Sequence, residues 1–206
     1  MSGVQVSVRP TAVSLGVSGL VVAAGTPWHP DIFARPVDQV VRGFGAWTLL
    51  HVMAVATVIL TLFGAVGLVA AHRGRLGRLG YVGLIVEVVG VAMTAALATI
   101  EAIVFPVLAD RAPTLLAIDG PLLGSPLFIG AGVLALGWPL GLALLGVAAA
   151  RAPVFPRSAG VVLAVSGPLF LGLEGPFVPV VGPASAVLFG VAQMWWCVLL
   201  WRSDMS

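Results

Sequence analysis

The sequence predicts an all-α membrane protein, a single helical bundle that crosses the bilayer about six times and keeps both termini in the cytoplasm. Three observations lead to this fold class. Of the 206 residues, 60% are hydrophobic and only 9% are charged, whereas soluble domains carry about 25% charged residues. Six apolar stretches approach the roughly 20 residues that a membrane-spanning helix needs. The arginines also concentrate in two short segments between these stretches. We expect one transmembrane domain over residues 1–206.

The six stretches follow one another with short polar connections between them. The first is short and rich in valine and serine, and the third is long enough to tilt in the bilayer or to protrude from it. Loops 26–45 and 109–120 hold acidic and basic residues, whereas 72–78 and 151–157 are basic turns. The predicted helices cover residues 11–25, 46–71, 77–108, 123–150, 158–178 and 183–200.

The arginines predict the orientation of the bundle. Each of the two basic turns carries several arginines, and the residues next to both chain ends also include an arginine. Since arginine-rich connections stay in the cytoplasm, loops 26–45 and 109–120 are expected on the outer side. All ten cationic side chains are arginine, which is typical of GC-rich bacterial genomes. We therefore expect a multi-pass protein of the bacterial cytoplasmic membrane.

Four ionisable side chains lie inside the predicted helices, where a charge costs about 2.5–3.5 kcal/mol. His51, Glu101 and Glu174 come from three different helices, and each is expected near the outer end of its helix. We interpret this convergence as a catalytic site. Glu87 lies deeper and precedes Glu101 by about four helical turns, so both carboxyl groups share a face with small residues such as Gly90. That face predicts either the lining of a cavity or a tight helix contact.

Aromatic residues and one amide are predicted around this site. The aromatic residues are expected near the depth of the acids, where their ring faces can stabilise a nearby cation. Gln193, in the sixth helix, is the amide expected at mid-membrane depth. The predicted substrate-binding residues are Trp28, Phe44, Trp47, Phe105, Phe177, Glu87 and Gln193.

Each of these residues also has a structural alternative. Glu101 and Glu174 could reach the lipid head groups or form hydrogen bonds within the bundle, and His51 could cap or pack a helix. Trp28 and Trp47 could belong to the outer aromatic belt of a membrane protein. The residues themselves leave these alternatives open.

Composition and motifs exclude several kinds of site. The single cysteine, Cys197, permits no internal disulfide and no zinc cluster, and a net charge of +2 is too small to indicate nucleic acid. The sequence has no Walker lysine, G-x-S-x-G, H-E-x-x-H or C-x-x-C motif. His51 and His72 lie at opposite ends of one predicted helix, so they cannot ligate one haem. We expect no metal, no cofactor and no nucleic-acid partner, and we expect membrane lipids and a lipophilic substrate as partners.

The predicted site favours acid-initiated chemistry on a lipophilic substrate. Two carboxyl groups that share a dry pocket hold a proton between them, because both cannot be ionised at close range. If Glu101 and Glu174 meet in such a pocket, they form a general acid beside aromatic walls. This combination suits protonation of an olefin or epoxide, followed by carbocation cyclisation and loss of a proton to a base.

The overall plan resembles the small bacterial membrane-bound terpene cyclases, which cyclise prenylated indoles and other meroterpenoid precursors, and more distantly their fungal counterparts. The resemblance covers the chain length, the number of helices and the acids Glu101 and Glu174; the fungal enzymes are longer, with one more helix. It implies an isomerase-type cyclase that needs no metal and takes a prenylated small molecule from the membrane.

Two other classes of function stay open. A proton-coupled carrier for small molecules would use intramembrane glutamates as relays, with Glu87, Glu101 and Gln193 along a water-filled path. A non-catalytic scaffold would assemble through glycine-rich helix faces and would tolerate replacement of every glutamate.

Overall fold

A computed structural model describes residues 8–72 and 74–203 of the chain. Within these ranges no residue is in a β-strand, and six helical segments are long and apolar enough to cross a membrane. The predicted all-α fold class with six membrane-spanning helices is therefore confirmed, while the cytoplasmic position of the termini stays a prediction. The six segments are Arg9–Trp28, Trp47–Ala71, Gly77–Arg111, Pro126–Arg151, Arg157–Glu174 and Val181–Ser203.

Eight α-helices and three shorter helical turns make up the regular structure of the described residues. The 3₁₀ turn Thr26–Trp28 continues the first helix, the 3₁₀ turn Pro113–Leu116 follows the fourth, and the π-helical turn Phe170–Glu174 continues the seventh. The α-helices are α1 (Arg9–Gly25), α2 (Val37–Gly43), α3 (Trp47–Ala71), α4 (Gly77–Arg111), α5 (Pro126–Ala135), α6 (Gly137–Arg151), α7 (Arg157–Leu169) and α8 (Val181–Ser203).

The fifth membrane-spanning helix ends earlier than the sequence predicts, and the first loop contains an additional helix. The fifth predicted helix extends to residue 178, but the helical segment ends at Glu174. It stops there because Gly175 and Pro176 follow and Phe177 adopts a positive φ of 54°, which an α-helix cannot contain. The first loop also holds the short helix α2, which the sequence analysis does not predict.

The spanning segments form a closed ring. Each segment packs against the next one along the chain, and α8 packs against α1. Trp138, Phe170 and Phe189 meet inside the ring with centroids 5.2–5.9 Å apart. We call the end of the bundle that carries residues 29–46 and 112–125 the loop end, and the opposite end, with residues 152–156, the turn end. The loop end is the one that the arginine pattern predicts to face outward.

Glycines allow the closest helix contacts in this ring. A side chain at Gly141 would collide with the backbone of Glu87, and one at Gly90 would collide with the backbone of Trp138, so α4 and α6 touch directly. Gly19 and Gly190 make the corresponding contact between α1 and α8. Since lipid provides no hydrophobic drive for helix association, such backbone approach supplies much of the packing energy.

At two of the prolines inside spanning segments, a threonine from a neighbouring helix satisfies the carbonyl group that the proline frees. Pro106 cannot donate to the carbonyl of Ala102, four residues earlier, and Thr48 Oγ1 donates to that oxygen at 3.0 Å. Pro139 likewise leaves the carbonyl of Ala135 free; the fourth span breaks there into α5 and α6. Thr94 Oγ1 donates to the Ala135 oxygen at 3.3 Å.

A hydrophobic cluster separate from the core inside the ring covers the loop end of α4. We call this cluster the loop-end cap. Helix α2 and the turn Pro113–Leu116 pack against the last turns of α4, and Arg42 donates to the carbonyl of Ala109 and to the carboxylate of Asp38. The buried residues of the loop-end cap are Val37, Val40, Val41, Trp47, Phe105, Ala109 and Leu116.

Replacing the threonines that satisfy the proline-freed carbonyls should destabilise the bundle. We expect Thr48→Val and Thr94→Val each to lower the free energy of unfolding by about 1–2 kcal/mol, because a carbonyl group in the membrane loses its donor. Thermal unfolding in detergent measures the change. The control is Thr99→Val, because the exposed Thr99 donates only to Ala95 of its own helix. Equal losses of unfolding free energy in all three variants would contradict the role assigned to Thr48 and Thr94.

The outward position of the loop end can be tested with single cysteines. In a Cys197→Ser background, Asp119→Cys places a thiol at the loop end and Pro153→Cys places one at the turn end, both at exposed positions. We expect a membrane-impermeant maleimide to label Asp119→Cys in intact cells and Pro153→Cys only after lysis. The reverse pattern would invert the predicted topology.

Candidate functional site

The first turn of α3 is bonded to α4 near Pro106, and this contact positions the candidate site. Trp47 Nε1 donates to the carbonyl of Glu101 at 2.7 Å, next to the bond from Thr48 described above. One turn further along α3, His51 faces the Glu101 side chain, with 3.2 Å between His51 Nε2 and Glu101 Oε2. The histidine is buried, while the glutamate side chain is 30% exposed.

His29 reaches the same place from the first loop. Its Nε2 lies 3.4 Å from His51 Nε2, and the two rings meet edge to face with centroids 5.3 Å apart. The ring of Trp47 packs at 5.8 Å from His29 and 4.3 Å from His51. We call His29, His51 and Glu101 the acid–base cluster.

Backbone carbonyls fix the proton positions on both imidazole rings. His51 Nδ1 lies 2.8 Å from the carbonyl oxygen of Trp47, and His29 Nδ1 lies 2.9 Å from that of Pro30. Because a carbonyl oxygen can only accept, each Nδ1 carries a hydrogen, and each neutral ring presents an unprotonated Nε2 to the cluster. Two Nε2 lone pairs and a carboxylate oxygen thus converge, and they attract one another only when they share at least one proton.

His29 is held in its neutral form. Burial lowers the pKa of its imidazole, and charge on His51 lowers it further. The hydrogen bond to Pro30 and the carboxyl group of Glu101 raise the pKa of His29, but their effects are smaller. At neutral pH, His29 is therefore available as a proton acceptor.

The predicted partner acid, Glu174, joins the site through His29. Glu174 ends the π-helical turn, is buried, and has an Oε2 atom without a hydrogen-bond partner among the described residues. Together with His29 and Phe177 it lines a pocket of about 200 Å³. Glu101 makes its contact with His51, so the direct pairing of Glu101 with Glu174 on which the sequence analysis relies is not seen.

The backbone around Phe177 is held in an unusual conformation. Phe177 and Val180 both have positive φ angles, 54° and 66°, and for a β-branched residue such as valine this is a strained conformation. The ring of Phe177 lies 5.3 Å from His29 and 5.8 Å from Phe33. The strained segment thus places an aromatic face directly on the imidazole of His29.

An apolar cavity of about 160 Å³ extends from His29 into the bundle. It shares Thr26, His29 and Phe170 with the pocket beside Glu174, so the two pockets adjoin at His29, whereas His51 and Glu101 line neither of them. The residues that line the inner cavity are Val21, Val22, Gly25, Thr26, His29, Leu50, Met53, Ala54, Thr57, Trp138 and Phe170.

The predicted aromatic substrate-binding residues have different positions. Phe177 lines the pocket. Trp47 is buried and acts as a positioning residue rather than a belt residue or a wall. Phe105 and Phe44 pack in the loop-end cap, away from the cavity, because α2 and α4 enclose them. Trp28 is 75% exposed at the end of its 3₁₀ turn, as expected for an interfacial tryptophan, and it lines neither pocket beside His29.

Glu87 and Gln193 also lie away from the cavity. The predicted small face of Glu87 and Gly90 forms a tight contact with α6, and Glu87 is fully buried with both carboxyl oxygens unpartnered among the described residues. Gln193 Oε1 accepts a hydrogen bond of 2.9 Å from Ser18, which also bonds to Thr61. Neither residue lines the pockets beside His29, and their substrate-binding role stays a prediction.

His29 is the site residue that the sequence analysis does not select. Its approach to His51 depends on the 3₁₀ turn that continues α1. The signal that could have identified it is the segment Thr26-Pro-Trp-His-Pro30, in which two prolines hold a histidine directly after a membrane-spanning helix.

Comparisons with protein families, with curated proteins and with solved structures find no match for this chain. In residues 8–72 and 74–203, no three histidine, cysteine, aspartate or glutamate side chains form a group that could hold a metal ion.

The lowered pKa of His29 predicts a pH-dependent stability. Below about pH 6.5, the ordinary pKa of histidine, the unfolded chain binds a proton at His29 that the folded protein does not yet bind. The free energy of unfolding therefore decreases as the pH is lowered. The groups that face His29 are His51, Glu101 and Glu174. We expect the apparent Tm of the wild-type protein to fall between pH 7.5 and 5.5, and the slope to be smaller in His29→Gln.

The control for this experiment is His72, at the turn end of α3. Burial also lowers the pKa of His72, so it contributes a slope of the same sign. His72→Gln should remove only that contribution, and the double variant should have the smallest slope. A His29→Gln slope equal to that of the wild type would refute the predicted role of His29.

Proposed function

We propose that this protein is a membrane enzyme that protonates a lipophilic prenyl substrate and guides its cyclisation through a carbocation. The observation that carries the proposal is the acid–base cluster, in which His29 borders an apolar cavity and contacts His51, and His51 faces Glu101. A general acid in an apolar site open to a lipophilic ligand is what protonation of an olefin requires.

The proposed reaction begins with the proton that His51 and Glu101 share, which reaches the substrate through His29, the member of the cluster that borders the cavity. This proton adds to one carbon of a terminal olefin, and the π electrons of that olefin form the new C–H bond, leaving a tertiary cation. A second olefin in the chain attacks the cation and closes a ring. The new cation then loses a proton to a base, so that substrate and product have the same composition.

The neutral imidazole of His29 is the proposed base. It borders the cavity and is unprotonated at Nε2, and it lies 3.4 Å from His51 Nε2. A proton that His29 receives can pass to His51, which restores the starting state of the cluster. Glu174, which lines the same pocket as His29, is the second candidate for the base that accepts the proton from the final cation.

Aromatic faces along the space support a cationic intermediate. Phe177 lies on His29, and Phe170 lines both the outer pocket and the inner cavity. An aromatic ring attracts a cation within about 6 Å of its centroid, and an apolar lining withholds water that would trap the cation. The prenyl class of substrate follows from this environment and from the resemblance described above.

A proton-coupled carrier is the second candidate function. It is favoured by Glu87, because a fully buried carboxyl group without a partner in a membrane helix is costly and is commonly functional. Glu87 lies against Gly141 of α6, however, and lines neither pocket beside His29. The scaffold hypothesis has less support, since the tight contacts of Gly90, Gly137 and Gly141 are made inside the bundle.

Loss of the shared proton should abolish the reaction. We expect membranes that contain the wild-type protein to convert farnesylated aromatic compounds or their epoxides into isomers. An olefin substrate should gain one carbon-bound deuterium in D₂O. Glu101→Gln and His51→Gln should lower the rate at least about 100-fold, the usual contribution of a general acid. Chromatography with mass spectrometry detects the isomers.

The matched control is Asp110→Asn, which makes the same carboxylate-to-amide change at an exposed position at the loop end of α4 and should retain the activity. Full cyclisation by Glu101→Gln would refute the proposed acid. If no isomer forms and Glu87→Gln abolishes proton-coupled uptake, the carrier replaces the cyclase.

A further inference from the structure

The inner end of the cavity has polar groups of its own. Thr57 and Trp138 both line it, from α3 and α6. Thr57 follows His51 by six residues on one helix, so it lies about 9 Å deeper along the helix axis than the acid–base cluster, at 1.5 Å per residue. The cavity therefore connects an acid–base end with a second, hydrogen-bonding end.

Both groups at the inner end lack a partner. Among the described residues, neither the hydroxyl of Thr57 nor the indole N–H of Trp138 forms a hydrogen bond, although the two side chains are only 3% and 9% exposed. Buried polar groups are satisfied in the great majority of cases, and each exception calls for a specific explanation. An indole N–H can only donate, so the missing partner contains an acceptor atom.

The cavity is placed to receive a molecule from the bilayer. Helices α1 and α3 pack tightly towards the turn end, where Leu15 fills the space opposite Gly64 and Ser18 bonds to Thr61. Towards the loop end, the side chains of Val21 and Met53 instead border the cavity, and Met53 is 36% exposed on the bundle surface. The gap between α1 and α3 is thus an apolar entrance at membrane depth.

We propose, resting on the function proposed above, that the substrate is an elongated lipophile with an oxygen acceptor at the end that enters deepest. Trp138 Nε1 donates to this oxygen, and the Thr57 hydroxyl forms the second bond. The chain of the substrate fills the apolar cavity, and its terminal olefin lies beside His29, the member of the acid–base cluster that lines the cavity. Ketones, ethers and phenols belong to this class, whereas a prenyl hydrocarbon without oxygen does not.

Competition for a photoreactive probe tests this inference without relying on turnover. The probe is a farnesyl chain that carries a diazirine and an alkyne, and the competitors are a farnesyl aryl ketone and its analogue with CH₂ in place of the carbonyl. We expect the ketone to compete about tenfold better in the wild-type protein, since two hydrogen bonds to a neutral oxygen are lost in the analogue. Equal competition would overturn the inference.

Variants at Thr57 and Trp138 test whether these two side chains cause the preference for the ketone. Thr57→Val exchanges the hydroxyl for a methyl group of similar size, and Trp138→Phe removes the N–H, so each should lower the ketone preference about threefold. Thr57→Ser should retain it. Thr99→Val, the same change on the exposed face of α4, should leave it unchanged. A tenfold preference that persists in both Thr57→Val and Trp138→Phe would also overturn the inference.

A further pair of variants locates the probe. A side chain at Gly25 would extend into the cavity and meet only Val21, at 3.9 Å from its Cβ, so Gly25→Leu should prevent labelling while the protein folds. Gly130→Leu, where a Cβ meets nothing within 4 Å, should label normally. Labelling that persists in Gly25→Leu would refute the site.

The outcomes separate this inference from the proposed function. A ketone preference without any isomer in D₂O would retain the oxygen-binding site and reject the cyclase. Isomer formation without a ketone preference would retain the cyclase and reject the oxygen-binding site.

Discussion

The contact between the first turn of α3 and the part of α4 that precedes Pro106 is the constraint on which the rest of the site depends. Pro106 frees the carbonyl of Ala102 for Thr48, and the neighbouring carbonyl of Glu101 accepts a bond from Trp47. These two bonds fix the rotation and depth of α3 against α4. Only because both are fixed do a histidine and a glutamate from different helices come within hydrogen-bonding distance.

The bilayer explains why such a contact is so restrictive. Hydrocarbon offers no donors or acceptors, so each backbone group in a spanning segment needs a partner from the protein. The threonines opposite Pro106 and Pro139 show that the chain meets this demand even where its helices break. Against this background the unpartnered side-chain atoms among the described residues are exceptions; they belong to Thr57, Glu87, Trp138, Glu174 and Gln193. Three of these five residues, Thr57, Trp138 and Glu174, line the pockets beside His29.

The spanning helices could be predicted because length and hydropathy determine them within a few residues. The meeting of His51 with the end of α4 that carries Glu101 also follows from helix order and direction. The position of His29, the end of the fifth helix at Glu174 and the helix α2 could not be predicted. They depend on a 3₁₀ turn, on a positive φ at Phe177 and on packing against α4, and none of these leaves a periodic pattern in the sequence.

The π-helical turn Phe170–Glu174 has a consequence for how this site can arise or disappear. A π-helical turn behaves as one extra residue within an α-helix, and one residue corresponds to a rotation of about 100° around the helix axis. Deletion of a single codon in this stretch would restore the α-helical phase and turn Glu174 away from the pocket without changing any other residue. A homologue that lacks this codon would therefore keep the same six-helix fold, while the pocket beside His29 would lose its carboxyl group.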